Sequence, residues 1–156
     1  MAKKIRIFVL FLILSVIFKY GYGIYMVSGN SMSPSMSDKS LLLVKKTSYD
    51  FENPRLGDII VLYDFEEDDF LIKRVLAVAG DSVEITDGII HINGEIHSDI
   101  FSHDIIGVYS EHSGLPIAWA DEPLITVPED CVWVIGDNRR DTWYGVVSIH
   151  DIVGGL

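Results

Sequence analysis

The sequence predicts a mainly β domain of short antiparallel strands preceded by one N-terminal transmembrane helix. Three observations carry that prediction. A nearly unbroken apolar run, "IFVLFLILSVIF", occupies residues 7–18. After residue 40, short β-branched or apolar runs recur between turn signals. Charge is split: of the 12 Lys and Arg, four (Lys3, Lys4, Arg6, Lys19) lie in the first 19 residues, leaving 8 against 23 acids, a formal −15.

The N-terminal element comes first. Twelve apolar residues are fewer than the about 20 that a bilayer crossing needs. Extension through "KYGYGIYMV" to Val27 supplies the length if Lys19 snorkels, and Tyr20, Tyr22 and Tyr25 suit an interface. A cleaved signal peptide and a buried core helix are the alternatives; no A-x-A-like site follows the run. The basic residues at the start keep that end cytoplasmic, which puts the chain after Val27 outside. The expected boundaries are an anchor over 1–27 and an extracytoplasmic domain over 28–156.

Strands are expected at 40–46, 58–63, 70–78, 82–85, 89–92 and 131–136. "SVEITDGIIHING" reads as a hairpin turning at Asp87-Gly88. "EEDD" (66–69) reads as a solvated hairpin loop. Residues 95–127 read as an excursion from the main sheet. The acidic domain offers no basic surface for nucleic acid. One cysteine, Cys131, excludes an internal disulfide. The five histidines (His91, His97, His103, His112, His150) have no zinc-ligand spacing, so no metal or cofactor is expected.

Chemistry is suggested by "VSGNSMSPSM" (27–36), a hydroxyl cluster just past the apolar run. A serine nucleophile needs a base. No histidine sits in a recognisable setting, whereas Lys73 lies inside "FLIKRVLAVAG". Along a strand Lys73 and Arg74 face opposite ways, so one of them faces inward. A lysine base must be neutral, which asks burial to lower its pKa by roughly 3 units. Arginine cannot serve, because it stays charged. The alternative is a lysine whose stem packs on the sheet while its head reaches water.

"SGNSMSP", then "RLGDIIVL" (55–62), "IKRV" 42 residues after the serine, "AGD" and finally "GDN" resemble the ordered boxes of the type I signal peptidases. These are membrane-anchored Ser-Lys proteases of the S26 class, with a β-fold shared by the self-cleaving repressors. The resemblance implies Ser31 as nucleophile and Lys73 as general base, with the Ser31 N–H donating to the oxyanion. Met32 is implied at the substrate site. Gly29 stands where some members carry a serine hydroxyl for the oxyanion. Asp137 and Asn138 are expected to hold a turn. The last box is shortened: "GDNRRDTWYGVV" places Thr142 where a hydroxyl orients the lysine and offers Asp141 as partner for Arg74. The implied activity is removal of signal peptides from preproteins, after small (Ala-x-Ala-like) residues, on the outer face of the bilayer. A related protease with a dedicated substrate, a self-cleaving repressor and an inactive membrane-anchored binding domain are the rivals.

Overall fold

The computed structural model describes residues 2–50, 52–98, 106–109 and 116–156. Helix α1 spans Ala2–Gly21. Its apolar side chains point in every direction, and those from Ile5 to Tyr20 that are described as large and exposed keep 47–69% of their surface open. Among the described residues no helix is long and apolar enough to cross a membrane. The expected continuation to Val27 is not helical. The chain leaves α1 at Gly21 and forms strand β1, Tyr22–Met26. Gly21 and Gly23 disfavour helix, and the Tyr and Ile between and after them favour strand. The backbone groups freed there are taken up by strand β2, Leu41–Lys45, in the register Tyr22↔Lys45 to Met26↔Leu41.

The remaining strands are β3 (Ile59–Asp64), β4 (Asp69–Val78), β5 (Ser82–Thr86), β6 (Ile89–Ile92), β7 (Glu95–Ile96), β8 (Gly107–Tyr109), β9 (Pro116–Trp119), β10 (Glu122–Thr126), β11 (Cys131–Ile135), β12 (Tyr144–Ser148) and β13 (Ile152–Gly155). All six expected strands are present within a residue or so of their expected ends. The main sheet has the order β1-β2-β13-β3-β4-β11-β12, and a second has the order β10-β5-β6-β7. Every described pairing is antiparallel. The turn between β5 and β6 is Asp87-Gly88, both with positive φ, as a two-residue hairpin loop of this twist demands. "EEDD" lies at the β3–β4 hairpin, where Asp64 pairs with Asp69. Within 95–127, β10 returns to pair with β5, so this part belongs to the second sheet. Residues 99–105 and 110–115 of the expected excursion lie outside the described residues, as do His103 and His112.

Two apolar clusters sit on opposite faces of the main sheet. Leu76, Ala77, Trp133 and Ile135 pack with Val83, Ile85 and Ile90 of the second sheet. On the other face Ile60, Leu62, Val75, Val132, Val134 and Val147 form their own cluster. The main sheet also curls. Three strands lie between β1 and β4 in the order, yet the Tyr25 and Phe70 rings meet with centroids 5.1 Å apart. That curl brings the loop after β1 over the middle of β4.

Candidate active site

The loop 27–40 is tied at its base before it carries anything. Val27 N–H donates to the Ser40 carbonyl and Lys39 N–H donates to the Val27 carbonyl, both at 2.8 Å. Gly29 N–H donates to Asp38 Oδ1 at 3.0 Å. Met32, 1% exposed, is sunk into the protein and pins the loop apolarly. Gly29 adopts φ +83°, where a side chain is strained although nothing lies within 4 Å to obstruct it. Glycine at this position is therefore conformational, and not only a missing hydroxyl.

The C-terminal loop grips the same segment from outside. Asn138 N–H donates to the Ser31 carbonyl at 2.9 Å, and Asn138 Nδ2 donates to the Asn30 carbonyl at 3.2 Å. Gly136 sits between: an added Cβ would lie 2.3 Å from the Ser31 carbonyl oxygen and 2.2 Å from Thr142 Oγ1. Only a glycine permits that approach. The sequence motif contains Gly136, but its role is legible only in three dimensions.

Lys73 is on the β4 face that carries Val75 and is paired with Ile60 of β3. It is 3% exposed. Its Nζ donates to Ser31 Oγ at 3.2 Å. Burial pushes the Lys73 pKa below its ordinary value, and the negative charge of Asp141 partly opposes that fall. The arrangement is a hydroxyl in contact with an amine whose surroundings favour the neutral form.

Arg74, on the opposite face, is built differently. Its Nε and one terminal nitrogen donate to the two carboxylate oxygens of Asp137, both at 2.7 Å, and the other terminal nitrogen donates to the Gly57 carbonyl at 2.8 Å. The acid on this fork is Asp137, where the sequence suggested Asp141. Bidentate geometry of this kind is strong and directional.

Thr142 is brought to the rear of the site, but not to the lysine. Its hydroxyl accepts from Gly136 N–H and donates to the Trp143 carbonyl, both at 3.0 Å. Among the described residues it has no hydrogen bond to Lys73. The shortened turn places it against backbone, so it holds Gly136 in register with Ser31. Asp137 and Asn138 likewise hold the loop, one by its ion pair and one by its contacts with residues 30 and 31.

In front of Ser31 is a cleft of about 360 Å³ between β1 and β4. Tyr25, Val27, Met32, Phe70 and Ile72 line it with the serine. Ser28 and Asp69 add polar groups to this lining, so the cleft offers both apolar and polar contacts to a ligand. No group of three or more His, Cys, Asp or Glu among the described residues is placed to hold a metal ion.

Comparison with known proteins bears on what this site does. A family model described as signal peptidase, peptidase S26, matches residues 1–155. A signal peptidase I of Bacillus caldolyticus is 32% identical over 140 residues, covering 83% of this chain and 74% of the relative. Signal peptidase I P of Bacillus subtilis subsp. natto is 32% identical over 136 residues, covering 83% and 72%. A crystal structure of a signal peptidase I from Enterococcus faecalis is 25% identical, covers 67% of this chain and 97% of that one, and superposes with a TM-score of 0.48.

Proposed function

The chain belongs to the S26 signal peptidase family, a family of signal-peptide-cleaving peptidases, and on that premise we propose that it is a membrane-anchored serine endopeptidase that works through a Ser31–Lys73 dyad. The observation that carries the dyad is the 3.2 Å contact between Lys73 Nζ and Ser31 Oγ at a lysine only 3% exposed. In its neutral form Lys73 accepts the Ser31 proton as Oγ attacks the scissile carbonyl. The developing oxyanion is met by the Ser31 N–H, which has no hydrogen-bond partner among the described residues. The Lys73 ammonium then gives its proton to the departing amine. Water, deprotonated by the now neutral Lys73 amine, attacks the acyl carbonyl, and the ammonium returns the proton to Ser31 Oγ as the acid product leaves.

The substrate in this reading is a preprotein cut after small residues and bound along the cleft beside Ser31. Helix α1 is the anchor in this reading. Its apolar run, residues 7–18, is too short to cross a bilayer alone, so the charged ends of the helix lie at the two interfaces. An apolar surface exposed on every side calls for an apolar surrounding. Lys3, Lys4 and Arg6 keep the near end cytoplasmic, with Lys19 snorkelling at the far end, which sets the catalytic domain outside.

Incubation of the purified protein with a generic preprotein tests the dyad. Cleavage is expected for the wild type and is expected to be absent for Ser31→Ala and Lys73→Arg, each with an unchanged far-UV spectrum. Activity retained in Lys73→Arg would remove the general-base role, since arginine stays charged.

A further inference from the structure

The Ser31 cleft does not end at its own walls. Tyr25 and Phe70, which line it, begin a chain of rings. Tyr25 meets Phe70 edge-on at 5.1 Å, Phe70 meets Tyr63 at 5.2 Å, and Tyr63 meets Phe65 at 4.8 Å. Tyr63 and Phe70 are register partners across the β3–β4 hairpin, and Phe65 stands at its tip. Gly23 makes room for the first ring: a Cβ there would lie 2.6 Å from the Tyr25 ring.

Two of these rings are exposed, Phe65 at 74% and Phe70 at 44%, while Tyr25 and Tyr63 are half-buried. A cross-strand aromatic pair stabilises a hairpin and accounts for Tyr63 and Phe70. It does not account for a fully presented Phe65 at the tip. The acids around it, Asp64 and the run Glu66–Asp69, keep such an apolar tip soluble. They also disfavour its entry into lipid, where carboxylates are costly and an anionic surface repels them.

We infer that the Tyr25–Phe70–Tyr63–Phe65 ring chain is a second substrate-binding segment that takes the apolar stretch of a secretory signal upstream of the cut. The inference rests on the proposed peptidase reading. A secretory signal carries a 7–15-residue apolar region just before its small-residue cleavage site. A ligand seated at Ser31 with small residues in the cleft therefore delivers apolar side chains next, and the rings continue the cleft with an apolar surface. Three ring-to-ring steps reach at most about 15 Å, the length of four or five extended residues. The chain downstream of a cut has no such apolar character, so the rings serve the departing signal.

The test compares two substrates in detergent: a long peptide carrying the whole apolar region, and a short one spanning only a few residues on each side of the cut. Phe65→Ser, at the exposed tip outside the Ser31 cleft, should raise KM for the long peptide about fivefold, with kcat and Tm unchanged, and leave both constants for the short peptide as in the wild type. The double variant Phe65→Ser/Phe70→Ser, which also alters the cleft wall, should raise KM for the long peptide by about tenfold and by more than it does for the short one. Equal changes with both peptides, or no change with the long one, would overturn the inference. So would loss of binding to phosphatidylcholine vesicles with KM unaltered, which would make the rings a lipid contact. Ser31→Ala run alongside separates the two readings: cleavage by that variant would sink the dyad and leave the comparison of peptides intact.

Discussion

Lys73 and Arg74 are neighbours in one strand, both cationic in water, and the fold treats them in opposite ways. Arg74 meets a buried carboxylate along one donor edge, through Nε and one terminal nitrogen, and a carbonyl at the other terminal nitrogen. Its charge is matched where it stands. Lys73 is buried with a serine hydroxyl at its nitrogen, and burial lowers its pKa. Alternation along a strand is enough to separate the two environments. What the difference teaches is that burial alone does not favour the neutral form of a cationic side chain. The side chain must also be denied a contacting carboxylate, and arginine is placed where that denial would be ruinous.

The comparison is broken most severely at Lys73. Lys73→Met should abolish cleavage and at the same time raise Tm, because it removes the cost of burying an ammonium. The pH dependence has a definite sign. The folded protein binds the Lys73 proton less tightly than the unfolded chain, so the wild type gains stability as pH rises from the lowered pKa towards the ordinary value of about 10.4. The Tm advantage of Lys73→Met should therefore shrink over that window. The wild-type rate should rise with pH as the amine loses its proton. Differential scanning fluorimetry and rate profiles across pH check both.

A smaller break lies on the other face. Asp137→Asn keeps the shape and leaves the partly buried Arg74 beside a neutral group. It should cost about 3 kcal/mol, lowering Tm by about 10 °C. The double change Arg74→Met/Asp137→Leu should recover much of that loss in the same melting experiment, though not the bond to Gly57. If Asp137→Asn melts like the wild type, the fork contributes nothing to the fold.

The smallest effect sharpens the comparison. Thr142→Val removes the acceptor for Gly136 N–H and should cost about 1–2 kcal/mol of stability. Because Thr142 is bonded to backbone, the pH midpoint of the rate should stay at its wild-type position. A shifted midpoint would mean that its hydroxyl governs Lys73 after all. Thr142→Ser should match the wild type in both measurements.

Much of this was readable from the residues. The strands with β-branched or apolar runs and clear turn signals, such as 70–78 and 131–136, lie where their pattern puts them. Ser31 and Lys73 followed from a motif, and the structure brings their side chains together. The misreadings have physical causes. "YGIYM" is apolar and continuous with α1, so it passed for anchor, although its outward Tyr22, Ile24 and Met26 alternate with Gly23 and Tyr25. The partner of Arg74 could not be counted along a shortened box, because the turn after β11 carries Asp137 under the guanidinium. The strand at 152–155 is not among the expected ones, because Gly154 and Gly155 have low strand propensity. Yet a Cβ at Gly154 would strike the Lys45 carbonyl at 2.5 Å, and one at Gly155 the Tyr49 hydroxyl at 2.5 Å. The glycines are what allow β13 into a crowded sheet.

That placement of β13 bears on how the protein comes into being. Residues 152–155 slot between β2 and β3, strands made of residues about a hundred positions earlier in the chain. A growing polypeptide can pair β1 with β2 and β3 with β4 as they appear, but the two pairs stay unjoined until the ribosome has passed residue 155. The loop bearing Ser31 belongs to one pair and Lys73 to the other. Before that strand forms, Ser31 and Lys73, the proposed nucleophile and base, lie on hairpins that no sheet pairing joins. The pairing that joins the two hairpins within the sheet is thus the last to become available along the chain.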